Sequence, residues 1–96
     1  VYVDPRCNPV WWFTSFLTDS KKQLKKYLAE KNIQTRGFFY PLHLQPCYNN
    51  KKGIFSKNGY RDSEQIYNKG ISLPSAYILS DEEQDYIINT VIKFYE

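Results

Sequence analysis

Ninety-six residues, 42% of them hydrophobic and 24% charged, suit one small domain with a single modest core and leave no room for two. A net charge of +3 is too mild to argue for a nucleic-acid or membrane-surface partner, and no apolar run reaches the roughly 20 residues of a membrane span. Cys7 and Cys47, with one histidine in the chain and no CxxC, make no zinc site and are read as a reduced, cytoplasmic pair.

Aromatics stand out at 18%, with nine tyrosines and six phenylalanines. Such a surplus suits surfaces that are partly apolar and partly wet, and it is equally the mark of an AT-rich genome rich in Lys, Asn and Ile codons. The chain has no methionine and opens at Val1 in an extended-looking stretch, so it is expected to be a piece of a longer protein.

Val10–Leu17, almost continuously hydrophobic, predicts a first strand buried on both faces or covered by another domain. On it Trp11 and Trp12 point opposite ways, one toward the core and the other toward a covered face. Ser20 with Gln23 predicts a capping box for a helix through about Lys31, with Leu24, Tyr27 and Leu28 as its apolar stripe. Lys21, Lys22, Lys25 and Lys26 fall opposite that stripe and read as a solvated face. Asn32 is expected to close the helix. Gln34–Tyr40 predicts a second strand. Pro41 and Pro46 then fix φ and remove two backbone donors, so a stiff loop follows through Tyr48.

Asn49–Gly59 is polar and lysine-bearing and is expected to be a mobile surface segment. Asp62 is expected to cap a short helix carrying Ile66 and Tyr67, with Gly70 ending it. Ile71–Leu73 predicts a third strand, halted by Pro74. The last helix opens on a Ser80/Glu83 capping box and an acidic first turn, which the helix dipole favours. Its expected buried stripe is Ile87, Ile88, Val91, Ile92 and Tyr95. The order β-α-β-loop-α-β-α implies an α+β two-layer sandwich. Its sheet would be three-stranded, antiparallel or mixed, with helices on one face.

Ile33–Tyr48 (IQTRGFFYPLHLQPCY) concentrates the groups that could meet a ligand. His43 is the single histidine, and its rigid proline-flanked setting suits a precise site, although a loop histidine can equally just hold a turn. Arg36 could clamp a phosphate or carboxylate with its fork of donors, or sit in a surface ion pair. Tyr40 and Tyr48 could stack on a ring or hydrogen-bond a ligand, or pack as core aromatics with wet tips. No Gly-rich phosphate loop, no Ser/His/Asp set and no Cys/His set can be assembled, so the chain has no catalytic residue of its own.

The motifs YLAEKNIQTR, FFYPLHLQPCY, GISLPS and LSDEEQDYIINTVIKFY occur in an order that resembles the C-terminal part of the DegT/DnrJ/EryC1/StrS family of sugar aminotransferases. There "GI.TR..FYPLH..P.Y", "LSLP" and "L…E…YI…I..F" recur at about this spacing. The likeness covers Trp11 to Tyr95 and is strongest to perosamine-synthase-type members. It implies residues 1–96 as the small C-terminal domain of a PLP enzyme of the aspartate-aminotransferase fold. Such an enzyme moves an amino group from glutamate to C4 of a nucleotide-linked 4-keto-6-deoxyhexose, for polysaccharide or glycan synthesis. Asn32 departs from the family's usual glycine. The family's Schiff-base lysine, the aspartate on the pyridine nitrogen and the phosphate cradle belong to the large N-terminal domain, and none maps here. The resemblance therefore implies that the missing domain binds PLP, that the fragment alone is inactive, and that the full enzyme is a homodimer. It puts Arg36, Tyr40, His43 and Tyr48 on the substrate side. Two other readings stand beside it. Arg36–Tyr40 partly echoes the R-G-F-x-F signature of RNA-recognition motifs, and the chain could be a free-standing interaction domain.

Overall fold

The computed structural model describes residues 2–48 and 59–96. The elements are β1 (Thr14–Leu17), α1 (Lys21–Glu30), β2 (Arg36–Gly37), a 3-10 turn (Leu42–Leu44), α2 (Arg61–Lys69), β3 (Gly70–Leu73) and α3 (Asp81–Tyr95). β3 lies in the middle of a three-stranded sheet, antiparallel to both β1 and β2. The expected α+β class is met, and the sheet is antiparallel, not mixed. The expected mobile stretch from Asn49 falls outside the described residues except for Gly59.

Register decides which face does what. Phe16 and Gly37 both face Ile71, while Ser15 and Arg36 both face Ser72. Because strand side chains alternate, Ile71 and Leu73 share one face and Ser72 lies on the other. The first face meets α1 and α3, where Leu24, Leu28, Ile33, Ile71 and Ile87 form the core, with Phe16, Tyr27 and Phe94 packed around it. Among the described residues, the second face borders two concavities rather than a packed helix layer.

Both outer strands are shorter than expected, for identifiable reasons. The β1 ladder starts at Thr14, opposite Leu73, because the next partner would be Pro74, which has no N–H to give. Upstream, the Trp12 N–H turns back onto the Val10 carbonyl, and the Ser75 hydroxyl donates to the Trp12 carbonyl. Trp11 and Trp12 are consequently exposed, at 75% and 68%, and neither enters the core. β2 ends at Gly37 because β3 begins at Gly70, and Phe38 folds over that glycine instead of pairing with it. A Cβ on Gly70 would lie 2.5 Å from the Phe38 ring and 2.6 Å from the Ile66 carbonyl oxygen. Gly70 does end α2, but with extended backbone (φ −74°), so close approach rather than a left-handed turn selects the glycine.

The helix ends show which local signals won. Ser20 lies at φ −92°, ψ 24°, and its side chain makes no cap bond, so the expected Ser20/Gln23 box is absent. Thr18 Oγ1 instead accepts from the Ser20 N–H. The other end follows the sequence: Asn32 takes φ 59°, the Ile33 N–H bonds the Leu28 carbonyl, and the Asn32 N–H bonds the Ala29 carbonyl. These are the two bonds of a Schellman motif, with Ile33 and Leu28 both buried against it. Tyr60, not Asp62, precedes α2, and Asp62 sits in its first turn, where the dipole favours a carboxylate. The Ser80/Glu83 box of α3 is complete in both directions. The buried stripe of α3 differs from expectation. Ile87 and Thr90 are buried and Val91 and Phe94 half-buried, whereas Ile88, Ile92 and Tyr95 are about half exposed. Thr90 tolerates burial because its hydroxyl donates to the Tyr86 carbonyl at 2.6 Å.

Candidate functional site

The open sheet face is where the structure leaves polar chemistry available. Ser72 at its centre is buried, its hydroxyl 2.8 Å from that of Ser15. Arg36 stands beside it in register and makes no side-chain hydrogen bond or ion pair among the described residues. Arg36 borders two concavities of about 380 and 400 Å³, which share Phe13, Arg36 and Ser72. Phe38, Phe39, Ile66 and Tyr67 wall the first. Trp12, stacked on Phe13 with ring centroids 4.4 Å apart, walls the second with Gln34 and Pro74. An unpaired guanidinium between aromatic walls can hold an anionic group while flat faces pack against a ring.

The stiff loop after β2 is folded against α2. Tyr40 meets the Tyr67 ring edge-on at 5.2 Å. The turn Leu42–Leu44 closes on a bond from the Leu44 N–H to the Pro41 carbonyl, with Pro41 itself buried. That turn brings His43 Nε2 to 2.9 Å from Glu64 Oε1, with the imidazole tilted over the Tyr60 ring at 4.8 Å. Tyr48 is half-buried, and its N–H bonds the Gln45 carbonyl.

The four residues expected on the substrate side therefore occupy two stations. Arg36 lies on the sheet face between the concavities, and Tyr40, His43 and Tyr48 line neither of them. α2 links the stations: Tyr67 walls the first concavity and supports Tyr40, and Glu64 holds His43. Sequence reasoning missed Glu64, because a partner 21 residues away leaves no local signal. It also read Lys21 as part of a solvated face. Lys22, Lys25 and Lys26 are indeed exposed, but Lys21 is half-buried. Its ammonium donates to the Tyr67 carbonyl near the C-terminal end of α2 and lies 5.0 Å from the Tyr67 ring. Burial pushes the Lys21 ammonium below the ordinary lysine range, and Lys25 adds to the effect.

These residues do not make a PLP site. Forming an imine needs an amine directed at an open cavity. Among the described residues, the one lysine with a lowered pKa, Lys21, is already bonded to a carbonyl. The start of α3 offers no phosphate cradle, because Ser80 and Glu83 cap its N–H groups and the acidic first turn crowds them.

The fold is that of part of an aminotransferase. Residues 2–92 match the DegT/DnrJ/EryC1/StrS aminotransferase family, and the chain belongs to that family. It is 36% identical over 88 residues to GDP-perosamine synthase of Escherichia coli O157:H7, covering 88% of this chain and 23% of that protein. A solved DegT DnrJ EryC1 StrS aminotransferase from Brucella abortus superposes with a TM-score of 0.78 at 29% identity, covering 88% of this chain and 22% of the other. S. venezuelae DesV gives a TM-score of 0.85 over 99% of this chain and 25% of its own, and at 23% identity that likeness speaks for the fold alone. The chain thus spans about a quarter of the length of these relatives. The RNA-recognition reading loses its footing, because Phe38, Phe39 and Tyr40 lie beyond the two-residue β2, off the sheet.

Proposed function

We propose that the chain is the C-terminal small domain of a PLP-dependent sugar nucleotide aminotransferase. The enzyme would aminate C4 of a nucleotide-linked 4-keto-6-deoxyhexose with glutamate as donor, for surface polysaccharide or glycan synthesis. The observation that carries this reading is the 36% identity to GDP-perosamine synthase over 88% of the chain. PLP, held by the rest of the protein, supplies the electron sink and carries the amino group. The domain supplies recognition. Arg36 holds an anionic group of a substrate through its fork of donors. Tyr40, His43 and Tyr48 meet hydroxyls and ring faces at the mouth of the site, beside the second subunit of a homodimer. Lacking an imine-forming lysine, the chain alone turns nothing over.

The test incubates the PLP-loaded full-length enzyme with glutamate and, in turn, GDP-, UDP- and dTDP-linked 4-keto-6-deoxyhexoses, and follows the amino sugar nucleotide by chromatography. One of the three is expected to be consumed. If none is, the reading fails. His43→Ala is expected to lower kcat/KM for that sugar nucleotide about tenfold or more. An unchanged value removes His43 from the substrate side.

A further inference from the structure

We propose that Lys21 is a positioning residue for the Tyr67 wall of the first concavity. Its ammonium ties the end of α2 to the start of α1, and from behind that wall it neutralises the carbonyl end of α2 beside Arg36. The inference rests on the reading of Arg36 as a substrate-side residue.

α2 has little else to fix its place. None of its nine residues is buried, so packing on the core holds it weakly. Its C-terminal end is gripped instead by the turn from β1 into α1. The Thr18 N–H donates to the Lys69 carbonyl at 2.9 Å, Asp19 pairs with the Lys69 ammonium at 2.7 Å, and Lys21 donates to the Tyr67 carbonyl. The Asp19–Lys69 pair is exposed and contributes little. Lys21 is half-buried, and of the clamped residues it holds the one that walls the concavity.

The Tyr67 ring is held from two sides. The Lys21 ammonium lies 5.0 Å from its centroid, and the Tyr40 ring meets it edge-on at 5.2 Å. On β2, a Cβ placed on Gly37 would lie 3.5 Å from Lys21 Nζ, in ordinary contact. Tyr67 and Gly37 both line the first concavity, whereas Lys21 lines neither of the two. Lys21 therefore stands behind the join between the helix wall and the strand wall.

That place has an electrostatic consequence. The last carbonyls of a helix have no partner within it and carry its negative end. In α2 the Ile66 carbonyl takes the Gly70 N–H, the Lys69 carbonyl takes the Thr18 N–H, and the Tyr67 carbonyl takes a full positive charge from Lys21. Arg36 lines the same concavity as Tyr67. An anionic group held by Arg36 would be repelled by that helix end if Lys21 were uncharged. Lys21 removes the repulsion without touching the ligand.

The test uses the PLP-loaded full-length enzyme and its sugar nucleotide, with Lys21→Met, Lys21→Arg and, as a control on the exposed face of α1, Lys22→Met. Hydrogen exchange followed by mass spectrometry reads the clamp directly. The amides of the last turn of α2 are expected to exchange about fivefold faster in Lys21→Met, and at the wild-type rate in the other two. In the assay, Lys21→Met is expected to raise KM about fivefold with kcat within about twofold of wild type, the pattern of lost binding. Lys21→Arg should recover most of that, and Lys22→Met should change nothing. Unchanged exchange in Lys21→Met overturns the proposal. So does faster exchange with an unchanged KM, which shows a merely structural lysine, and so does an equal rise in KM for Lys22→Met, which shows only the general charge of the surface. Arg36→Leu in the same assay separates the two readings. If it raises KM and Lys21→Met does not, the proposal alone fails. If it leaves KM unchanged, the substrate-side reading of Arg36 fails and takes the proposal with it.

Discussion

Arg36 is the residue on which the chemistry of the open face turns. It is exposed, stands in register with Ser72, and contributes to the wall of both concavities. Without an ion pair among the described residues to break, a substitution there reads ligand contact more than folding. A lysine keeps the charge but loses the planar fork, so Arg36→Lys and Arg36→Leu separate the two contributions. In the full-length enzyme, Arg36→Leu is expected to raise KM for an anionic substrate by about tenfold or more, with Arg36→Lys between it and wild type. Thermal melts of the three proteins should coincide to within about 0.5 kcal/mol, as expected for an exposed side chain. Equal KM values for all three would remove Arg36 from the site. The sequence left Arg36 open between an anion clamp and a surface ion pair, and among the described residues it makes no ion pair. That it lies away from His43 was not legible, because the separation depends on where β2 stops, and that is set by Gly70 over thirty residues further on.

Among the elements, α3 carries the most explicit local code and was read most accurately at its start. Ser80 Oγ accepts from the Glu83 N–H, and Glu83 Oε2 accepts from the Ser80 N–H at 2.9 Å. Next to them the Glu82 carboxyl is held below the ordinary glutamate range, first by its own backbone N–H and then by the Ser80 hydroxyl. A carboxyl with a depressed folded-state pKa contributes stability that is present above the unfolded value, about 4.3, and is lost as pH falls below it. α3 is therefore expected to loosen between about pH 5 and pH 3, seen as a falling urea midpoint and weaker helical dichroism. Ser80→Ala should cost about 1 kcal/mol at neutral pH and flatten part of that acid dependence. A urea midpoint unchanged by either would show that the start of α3 contributes nothing to stability. The far end of α3 was misjudged because periodicity alone cannot say which of two adjacent apolar stripes faces inward. Docking on Leu24 and Leu28 chose the one with Ile87 and left Ile88 and Ile92 half exposed. The strands were overextended for a related reason: propensity marks where a strand could run, but pairing needs a partner with a free N–H, and Pro74 has none.

At the scale of the whole molecule, the chain has too little core for the surface it shows. Among the described residues a core of five buried side chains, Leu24, Leu28, Ile33, Ile71 and Ile87, holds it together, while Val10, Trp11, Trp12, Phe39, Leu42, Tyr77 and Ile78 are all well exposed. Exposed aromatics around an open sheet face, next to β1 as an outer strand with an unpaired edge, are the two features that drive association. In the proposed full-length enzyme the large domain would cover that face. In the isolated chain water does, at a cost of about 25 cal/mol per Å² of apolar surface left wet. The chain alone is therefore expected to self-associate or exchange elements at concentrations on the order of 100 μM. Replacing Trp11 and Trp12 with serine should weaken that association without lowering the urea midpoint, since neither ring belongs to the core. Sedimentation that stays monomeric at that concentration, or association that the two serines leave untouched, would mean that the open face is not what binds.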